Sequence, residues 1–257
     1  MHPNPVYIKN LLDQMVDEFN RLEFIPDDPI SIPHRFSVKE DIEIAGFLTA
    51  AISWGQRKTI VKNASRLMEL MDNSPFQFIL DHSEEDLGRF RRFAHRTFNP
   101  EDCIFFIRSL RNIYQSPGGM ESLFHPREGT DLKEGIMAFR RKFFSVAFPP
   151  RSSKHIADPS RGASAKRLNM FLRWMVRRDD CGVDFGIWNS IHPSELYCPL
   201  DVHTGNSARQ LGILKIRQDN WKAVEELTSY LRMLDPKDPV KYDYALFGMG
   251  LQKHLSP

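Results

Sequence analysis

The chain has 257 residues, 41% hydrophobic and 26% charged, with a formal net charge of +2 at pH 7. That length buries one large core or two small ones, and the composition is ordinary for a globular protein, excluding the disordered and fibrous classes. No apolar run reaches the roughly 20 residues a membrane span needs. Met1-His2-Pro3-Asn4-Pro5 shows no basic lead into an apolar segment, so no secretory signal is expected. Cys103, Cys181 and Cys198 are an odd set without a CxxC. They predict free thiols in a reducing cytoplasm and are too few for a four-thiolate iron–sulfur cluster.

Helical periodicity runs almost throughout. Tyr7, Leu11, Leu12, Met15, Phe19 and Leu22 form a first apolar stripe, and the prolines from Pro26 to Pro33 interrupt it. A second helix is expected from Ser37 to Trp54, with Ile42, Ala45, Phe47, Leu48 and Ile52 inward. After a turn at Gly55-Gln56, a third carries Ile60, Val61, Leu67, Leu70 and Met71. Asn73-Ser74-Pro75 and Asn99-Pro100-Glu101-Asp102 read as helix starts, the second leading into Ile104, Phe105, Ile107, Leu110 and Tyr114. Loops are expected at Pro117-Gly118-Gly119 and at 125–129. A helix from Leu132 to Phe148 follows, with Phe139, Phe143 and Phe144 as core. Pro149 to Ser164 is the longest polar stretch.

Lys166 to Arg178 is again helical, and Gly182 to Pro199 reads as irregular. Asp201 opens a short helix ending in Leu211-Gly212. Asp219 is the expected cap of a helix through Val224, Leu227, Tyr230, Leu231 and Leu234. Tyr242 to Phe247 is a last short helix before Gly248-Met249-Gly250. No segment alternates as a strand and no period repeats, so the chain reads as all-α.

The basic residues cluster although the net charge is small. Arg89, Arg91, Arg92, His95 and Arg96 form one group, Arg140, Arg141 and Lys142 a second, and Lys154, Arg161, Lys166, Arg167, Arg173, Arg177 and Arg178 a third. Such patches either track a phosphate backbone or are solvated helix faces. Two residues carry candidate chemistry. Asp201 follows Cys198-Pro199-Leu200 and precedes Val202-His203-Thr204, where aspartate is a preferred N-cap. Capping keeps a carboxylate ionised and so does not exclude catalysis. Lys166 starts its helix after the small-residue turn Ser160-Arg161-Gly162-Ala163-Ser164-Ala165. A helix N-terminus disfavours a cation, and a neutral amine is the form that attacks carbon. The plain alternative is a surface lysine or a phosphate contact.

Taken together, four segments resemble the helix-hairpin-helix DNA glycosylases, in that family's order. Lys166-Arg167-Leu168-Asn169-Met170-Phe171-Leu172 is similar to the lysine-bearing helix. Pro199-Leu200-Asp201-Val202-His203-Thr204 with Ala208-Arg209-Gln210-Leu211-Gly212 is similar to the Val-Asp-Thr-His-Val…Arg-Leu-Gly segment. Gly46 to Gln56 resembles the early helix that ends near Leu-Ser-x-Gln, and Tyr244 to Gly250 resembles the late Leu-Ile-x-x-Gly turn. The overall likeness is to an uncharacterised bacterial family of this length related to those glycosylases. The long Lys-to-Asp spacing is most like the archaeal 8-oxoguanine branch. The chain departs from the pattern at Asp158-Pro159-Ser160-Arg161-Gly162-Ala163-Ser164-Ala165-Lys166, which keeps one glycine of the hairpin, and in its long segment between Lys166 and Asp201.

The resemblance implies a two-lobed all-α glycosylase fold with a cleft between lobes. It divides the chain into a central lobe at 36–180, ending in the hairpin-like turn and the Lys166 helix, and a second lobe of 1–35 plus 181–257 carrying Asp201. It implies excision of a damaged base, oxidised guanine being the first lesion to consider, with or without AP-lyase nicking. Lys166 would be the nucleophile and Asp201 the carboxylate that stabilises the sugar cation. Gln56, Arg161, Gly162, Ser164, Arg167, Arg173, His203 and Arg209 would contact DNA, and Trp54, Trp174 and Trp188 would line the base pocket. The implied partner is double-stranded DNA holding a damaged base, met by a cytoplasmic, nucleoid-associated monomer. No cofactor, iron–sulfur cluster or metal site is implied, beyond a monovalent cation at the hairpin turn. The rival readings are a non-catalytic nucleic-acid-binding module and a helical protein–protein scaffold. Asp184-Phe185-Gly186 spells a kinase triplet without its partner motifs. His192, Cys198 and His203 lack metal-ligand spacing, and neither a Ser-His-Asp set nor a phosphate loop is present.

Overall fold

Prolines and short polar side chains decide where the helices begin. The computed structural model describes residues 4–125 and 129–255, with side chains through 250. Residues 126–128 of the loop expected at 125–129, and residues 1–3 of the opening segment, lie outside these. Asn4 accepts from the Val6 amide at 3.0 Å and opens α1 (Pro5–Phe19) with Pro5 in its first turn. Then come α2 (Lys39–Ala51), α3 (Arg57–Leu70), α4 (Pro75–Asp81), α5 (Pro100–Tyr114), α6 (Gly119–Phe124), α7 (Leu132–Phe143), α8 (Lys166–Val176), α9 (Val202–Gln210), α10 (Trp221–Leu234) and α11 (Tyr242–Leu255). Short 3-10 turns, most of them starting at proline, join several of these. The described residues contain no strand, only two isolated bridges, and the fold is all-α.

Three local expectations shift. The helix expected to reach Phe148 stops at Phe143, and Phe144 is its half-buried cap rather than core. Asn220, not Asp219, caps α10, accepting from the Ala223 amide at 3.1 Å. Asp219 instead pairs with Arg209 at 2.5 Å. The last helix is longer than expected because nothing after Phe247 breaks it.

The chain forms two compact units, Ile25–Ala157 and Met1–Phe24 with Asp158–Pro257. This corrects the division expected at 36 and 180, because α8 belongs with the C-terminal segments. Its last-turn carbonyls are consumed there: Trp174 O accepts from the Phe185 amide at 2.8 Å and Met175 O from the Trp188 amide at 2.9 Å. Its buried Arg173 and Arg177 find their carboxylates at Asp184, Asp238 and Asp243. Residues 25–35 go the other way, since the turns Pro29–Ser31 and Pro33–Arg35 pack on α2 and α3.

The 25–157 unit is built on phenylalanine. Phe47, Phe106, Phe139 and Phe143 are at most 1% exposed, with ring centroids 4.8–5.9 Å apart in edge-on and stacked pairs. Each ring contributes about 1.5–3 kcal/mol by burial, plus a smaller geometric term. The α6 and α7 backbones approach so closely that a Cβ at Gly135 would run into the Phe124 carbonyl. Gly135→Ala is therefore expected to lower stability by about 1–3 kcal/mol, or more if the helices cannot part, measured by urea unfolding.

Asp102 ties this unit's loops to α5. Its carboxylate completes a capping box with Asn99 and accepts from Ser152 Oγ at 2.6 Å and from Arg151 at 2.5 Å. His155 Nε2 stands 3.2 Å away. Burial alone raises this acid, but Ser152, the Asn99 amide, His155 and Arg151 outweigh it and hold it below the usual range. A carboxylate held low stabilises the fold above its unfolded pKa of about 4 and loses that effect as pH falls through its native value. Asp102→Asn is expected to cost about 1.5–3 kcal/mol at pH 7. Urea titrations of both proteins should show the gap closing as the pH falls below 4.

In the other unit α1 lies along α11, and α11 along α9. Leu12, Phe171, Leu172, Trp174, Met175, Leu227, Leu231, Tyr242 and Tyr244 are at most 1% exposed. This core carries the starts of α8 and α9, where the candidate chemistry sits.

Candidate functional site

The chain reaches Lys166 through a tight, braced turn. Asp158 Oδ1 accepts from the Ser160 amide and hydroxyl at 3.0 and 2.6 Å, and Pro159–Arg161 makes one 3-10 turn. Gly162 adopts φ +86°, the left-handed region glycine supplies at least cost. Its carbonyl accepts from the Trp221 amide at 2.9 Å, which fastens the turn to the first residue of α10. Ala165 is also left-handed at φ +50°, and α8 starts at Lys166 with no side-chain cap. Asn169 returns a bond to the Ser164 carbonyl at 3.1 Å. The single surviving glycine of the resemblance thus stands where the backbone needs one.

Asp201 is an N-cap, as its neighbours predict. Its Oδ1 accepts from the His203 and Thr204 amides at 2.9 and 3.0 Å, which aims Oδ2 away from the helix. Lys166 Nζ lies 3.6 Å from that Oδ2, and each side chain is 28% exposed. Nζ is also 3.6 Å from Met170 Sδ, one turn along α8. Two helix starts 35 positions apart in sequence therefore bring one amine and one acid together, both open to water. An amine beside a carboxylate has a proton acceptor at hand, and attack by its neutral form is the chemistry this pair can perform.

A buried ionic cluster lies behind the pair. Arg173, two turns after Lys166 on α8, is 5% exposed. It bonds Asp184 at 3.2 Å and Asp243 in closer contact, with its guanidinium 4.2 Å from the Tyr244 ring centroid. Arg177, 2% exposed, pairs with Asp184 at 3.1 Å, Asp238 at 2.9 Å and Asp179. Although burial opposes its charge, these acids raise the Arg177 guanidinium further. Asp179 is lowered despite burial, by Arg177 and Asn20. Asp243 is pushed up to about 6, by burial that Arg173 and Lys166 only partly offset.

Several expected contacts are corrected by this geometry. Arg173 is consumed by the buried cluster and is no DNA contact. Trp174 and Trp188, 0% and 2% exposed, are core side chains rather than walls of an open pocket, and the Trp174 indole nitrogen is buried without an acceptor. Their positions in an amphipathic segment are core positions, and that burial outweighs the appeal of a flat ring for stacking. Arg209 is held by Asp219 and by the Ile216 carbonyl at 2.9 Å.

Arg161, Gly162 and His203 are exposed near the pair in sequence, while Ser164 and Arg167 are half-buried. Burial lowers the Arg167 guanidinium to about 10, which leaves it charged at neutral pH. Trp54 and Gln56 stand in the 25–157 unit. Trp54 is half-buried, edge-on to His95 at 5.0 Å and stacked on His155 at 5.7 Å. Gln56 is exposed at the N-cap of α3 with no side-chain capping bond. Asp179, Asp184, Asp238 and Asp243, the acids of the cluster, were missed, and Arg177 was read only as part of a basic group. The usable signal was a pair of arginines four apart in an otherwise apolar helix stripe, which demands buried acids elsewhere.

No group of three or more His, Cys, Asp or Glu side chains able to hold a metal occurs among the described residues. Cys103 and Cys198 are buried and Cys181 is exposed, none in a disulfide. Burial pushes the Cys198 thiol well up. No helix of the described residues is long and apolar enough to cross a membrane.

A family model described as "Protein of unknown function (DUF2400)" matches residues 28–252. The chain belongs to this family. The matched region takes in Lys166, Asp201 and the whole ionic cluster, and begins after α1. No curated protein and no solved structure matched the chain.

The two roles of Asp201 separate by substitution. Asparagine caps as well as aspartate, whereas alanine loses about 0.5–2 kcal/mol. Asp201→Asn is expected to melt close to the wild type and Asp201→Ala below it, read by circular dichroism.

Proposed function

We propose that this chain is a DNA base-excision glycosylase of the helix-hairpin-helix type that acts on a damaged base in double-stranded DNA. Oxidised guanine is the first lesion to test. The observation that supports this most is the approach of Lys166 Nζ to Asp201 Oδ2, 3.6 Å apart at two helix starts and partly exposed. It joins the two residues that the motif resemblance singles out from distant segments. The exposed Arg161 and His203 and the half-buried Arg167 and Ser164, in the same unit as the pair, are the remaining candidates for DNA contact. The working form in this reading is a monomer in the cytoplasm, associated with the nucleoid when bound.

In this mechanism the damaged nucleotide leaves the stack. Lys166 loses its proton to water, and the neutral amine bonds to the deoxyribose anomeric carbon. The glycosidic bond breaks, and the base leaves with the proton that the newly bonded amine releases. The Asp201 carboxylate, which accepts from two backbone amides, stabilises the positive charge that develops on the sugar. Ring opening gives an imine, and β-elimination then breaks the 3′ C–O bond and nicks the strand.

Borohydride trapping on duplexes holding an oxidised guanine or an abasic site tests this. The wild type is expected to form a covalent adduct and Lys166→Ala none, while Asp201→Asn lowers base release by roughly 10²-fold or more. Absence of a wild-type adduct, or equal trapping by Lys166→Ala, removes the lyase step. Base release that needs Asp201 without an adduct identifies a single-function glycosylase. Salt-dependent binding that survives Asp201→Asn, with no base release at all, identifies a non-catalytic binding module. No gel shift at moderate salt leaves the protein-binding scaffold.

A further inference from the structure

Two stretches of the 25–157 unit are basic without a single acid. From Ile52 to Met68, and again from Leu87 to Pro100, lysine and arginine recur and neither Asp nor Glu occurs. The fold stitches the two together at His95, which is 1% exposed. Asn63 Nδ2 on α3 donates to its Nδ1 at 2.9 Å, its Nε2 donates to the Trp54 carbonyl at 3.1 Å, and the Trp54 ring stands edge-on to it at 5.0 Å. His95 and Phe98 close a tight turn through amide–carbonyl bonds of 2.8 and 2.9 Å, with Arg96 at its tip. Arg96 holds φ +54°, a left-handed backbone that is costly for a residue with a Cβ. Its guanidinium lies over Gly55, where an added Cβ would stand 3.0 Å from Nη1. A glycine at the turn into α3 thus seats an arginine of the second stretch beside the first.

On α3, Lys58, Lys62 and Arg66 are exposed and follow one another at intervals of four residues. They form one row with steps of about 6 Å, while Ile60, Ala64, Leu67 and Met68 fill the core on the other side. Arg91, Arg92 and Arg96 are exposed within a few residues of His95. Among the described residues none of these six cations pairs with a carboxylate. The acids at the margins are already engaged, Glu69 with Ser65 at 3.1 Å and Asp72 and Asp86 with Arg89 at 2.6 and 3.0 Å. A row of this length cannot close around one small anion and fits a line of charges. Among the described residues neither stretch exposes a large hydrophobic side chain to enter a membrane or anchor a protein partner. Trp54 at its edge is taken up by His95 and His155, so no free ring is offered for stacking the bases of a single strand.

We propose that this face is a docking surface for double-stranded DNA, which it holds by the phosphates without reading the bases. It lies in the unit that carries neither Lys166 nor Asp201. It shares DNA with the proposed function and rests on no step of base excision.

Fluorescence anisotropy of a labelled, undamaged duplex, titrated with the whole protein over a range of salt, tests this. Lys58→Ala/Lys62→Ala/Arg66→Ala is expected to weaken binding about tenfold or more near 0.15 M salt and to flatten the slope of log K against log salt by about 2 to 3. Arg91→Ala/Arg92→Ala/Arg96→Gly should flatten it by about as much, glycine being suited to the left-handed position. All six side chains are exposed and alanine favours the helix, so the fold is kept, as circular dichroism will show. Arg141→Ala/Lys215→Ala/Lys237→Ala removes the same charge from exposed positions elsewhere and should change the slope by less than about 1. A wild type that does not bind the duplex at low salt, an unchanged slope in either patch variant, or an equal loss in the control overturns the proposal. So does tighter binding to the single strand, or a patch variant that loses binding to anionic lipid vesicles and none to DNA. Failed borohydride trapping with these slope changes intact removes base excision and leaves the surface. Trapping by the wild type with unchanged slopes in the patch variants removes the surface and leaves base excision.

Discussion

Two arginines buried in one helix set the terms for the C-terminal unit. A guanidinium cannot shed its charge inside a protein, so Arg173 and Arg177 must be met by carboxylates or α8 cannot pack. Asp184, Asp238 and Asp243 meet that demand from three later segments. The irregular stretch after α8, the break before α11 and the first turn of α11 are thereby drawn to a single helix. Once they are in place, the start of α8 is fixed against the cap of α9, and the amine and the acid meet as a by-product of the same electrostatics.

Much of this order is legible in the chain. Apolar spacing marks the helices, and proline with Asx or serine marks α4, α5 and α9 before any coordinates. Asp201 follows from preference alone, since few side chains cap better. The turn at Gly162 is visible because only glycine tolerates its dihedral angles cheaply. The approach of Lys166 to Asp201 was suggested by motif order and not by local chemistry, because spacing along a chain says nothing of which helix starts converge.

Other features were hidden for physical reasons. Asp219 and Asn220 are both good caps, and the choice between them falls to Arg209, a long-range partner that takes Asp219 away. Trp174 and Trp188 look like stacking surfaces to a reader of motifs, yet they are needed to fill the core around α8. Arg173 reads as a phosphate contact because surface arginines usually are; only its apolar neighbours hint that it points inward. The unit boundary after Ala157 falls inside the polar stretch from Pro149 to Ser164. The side on which α8 lies depends on its counterions and on two carbonyl bonds, none of which has a local signature.

The surroundings of Trp54 have an optical consequence. Of the four tryptophans, Trp174, Trp188 and Trp221 are at most 2% exposed, while Trp54 is half-buried between two imidazoles. The three enclosed indoles emit from dry surroundings and are shielded from dissolved quenchers. Trp54 supplies the red edge of the emission and is the one ring that iodide or acrylamide reaches. It makes the native protein its own fluorophore for whatever approaches the segment from Ser53 to Gln56.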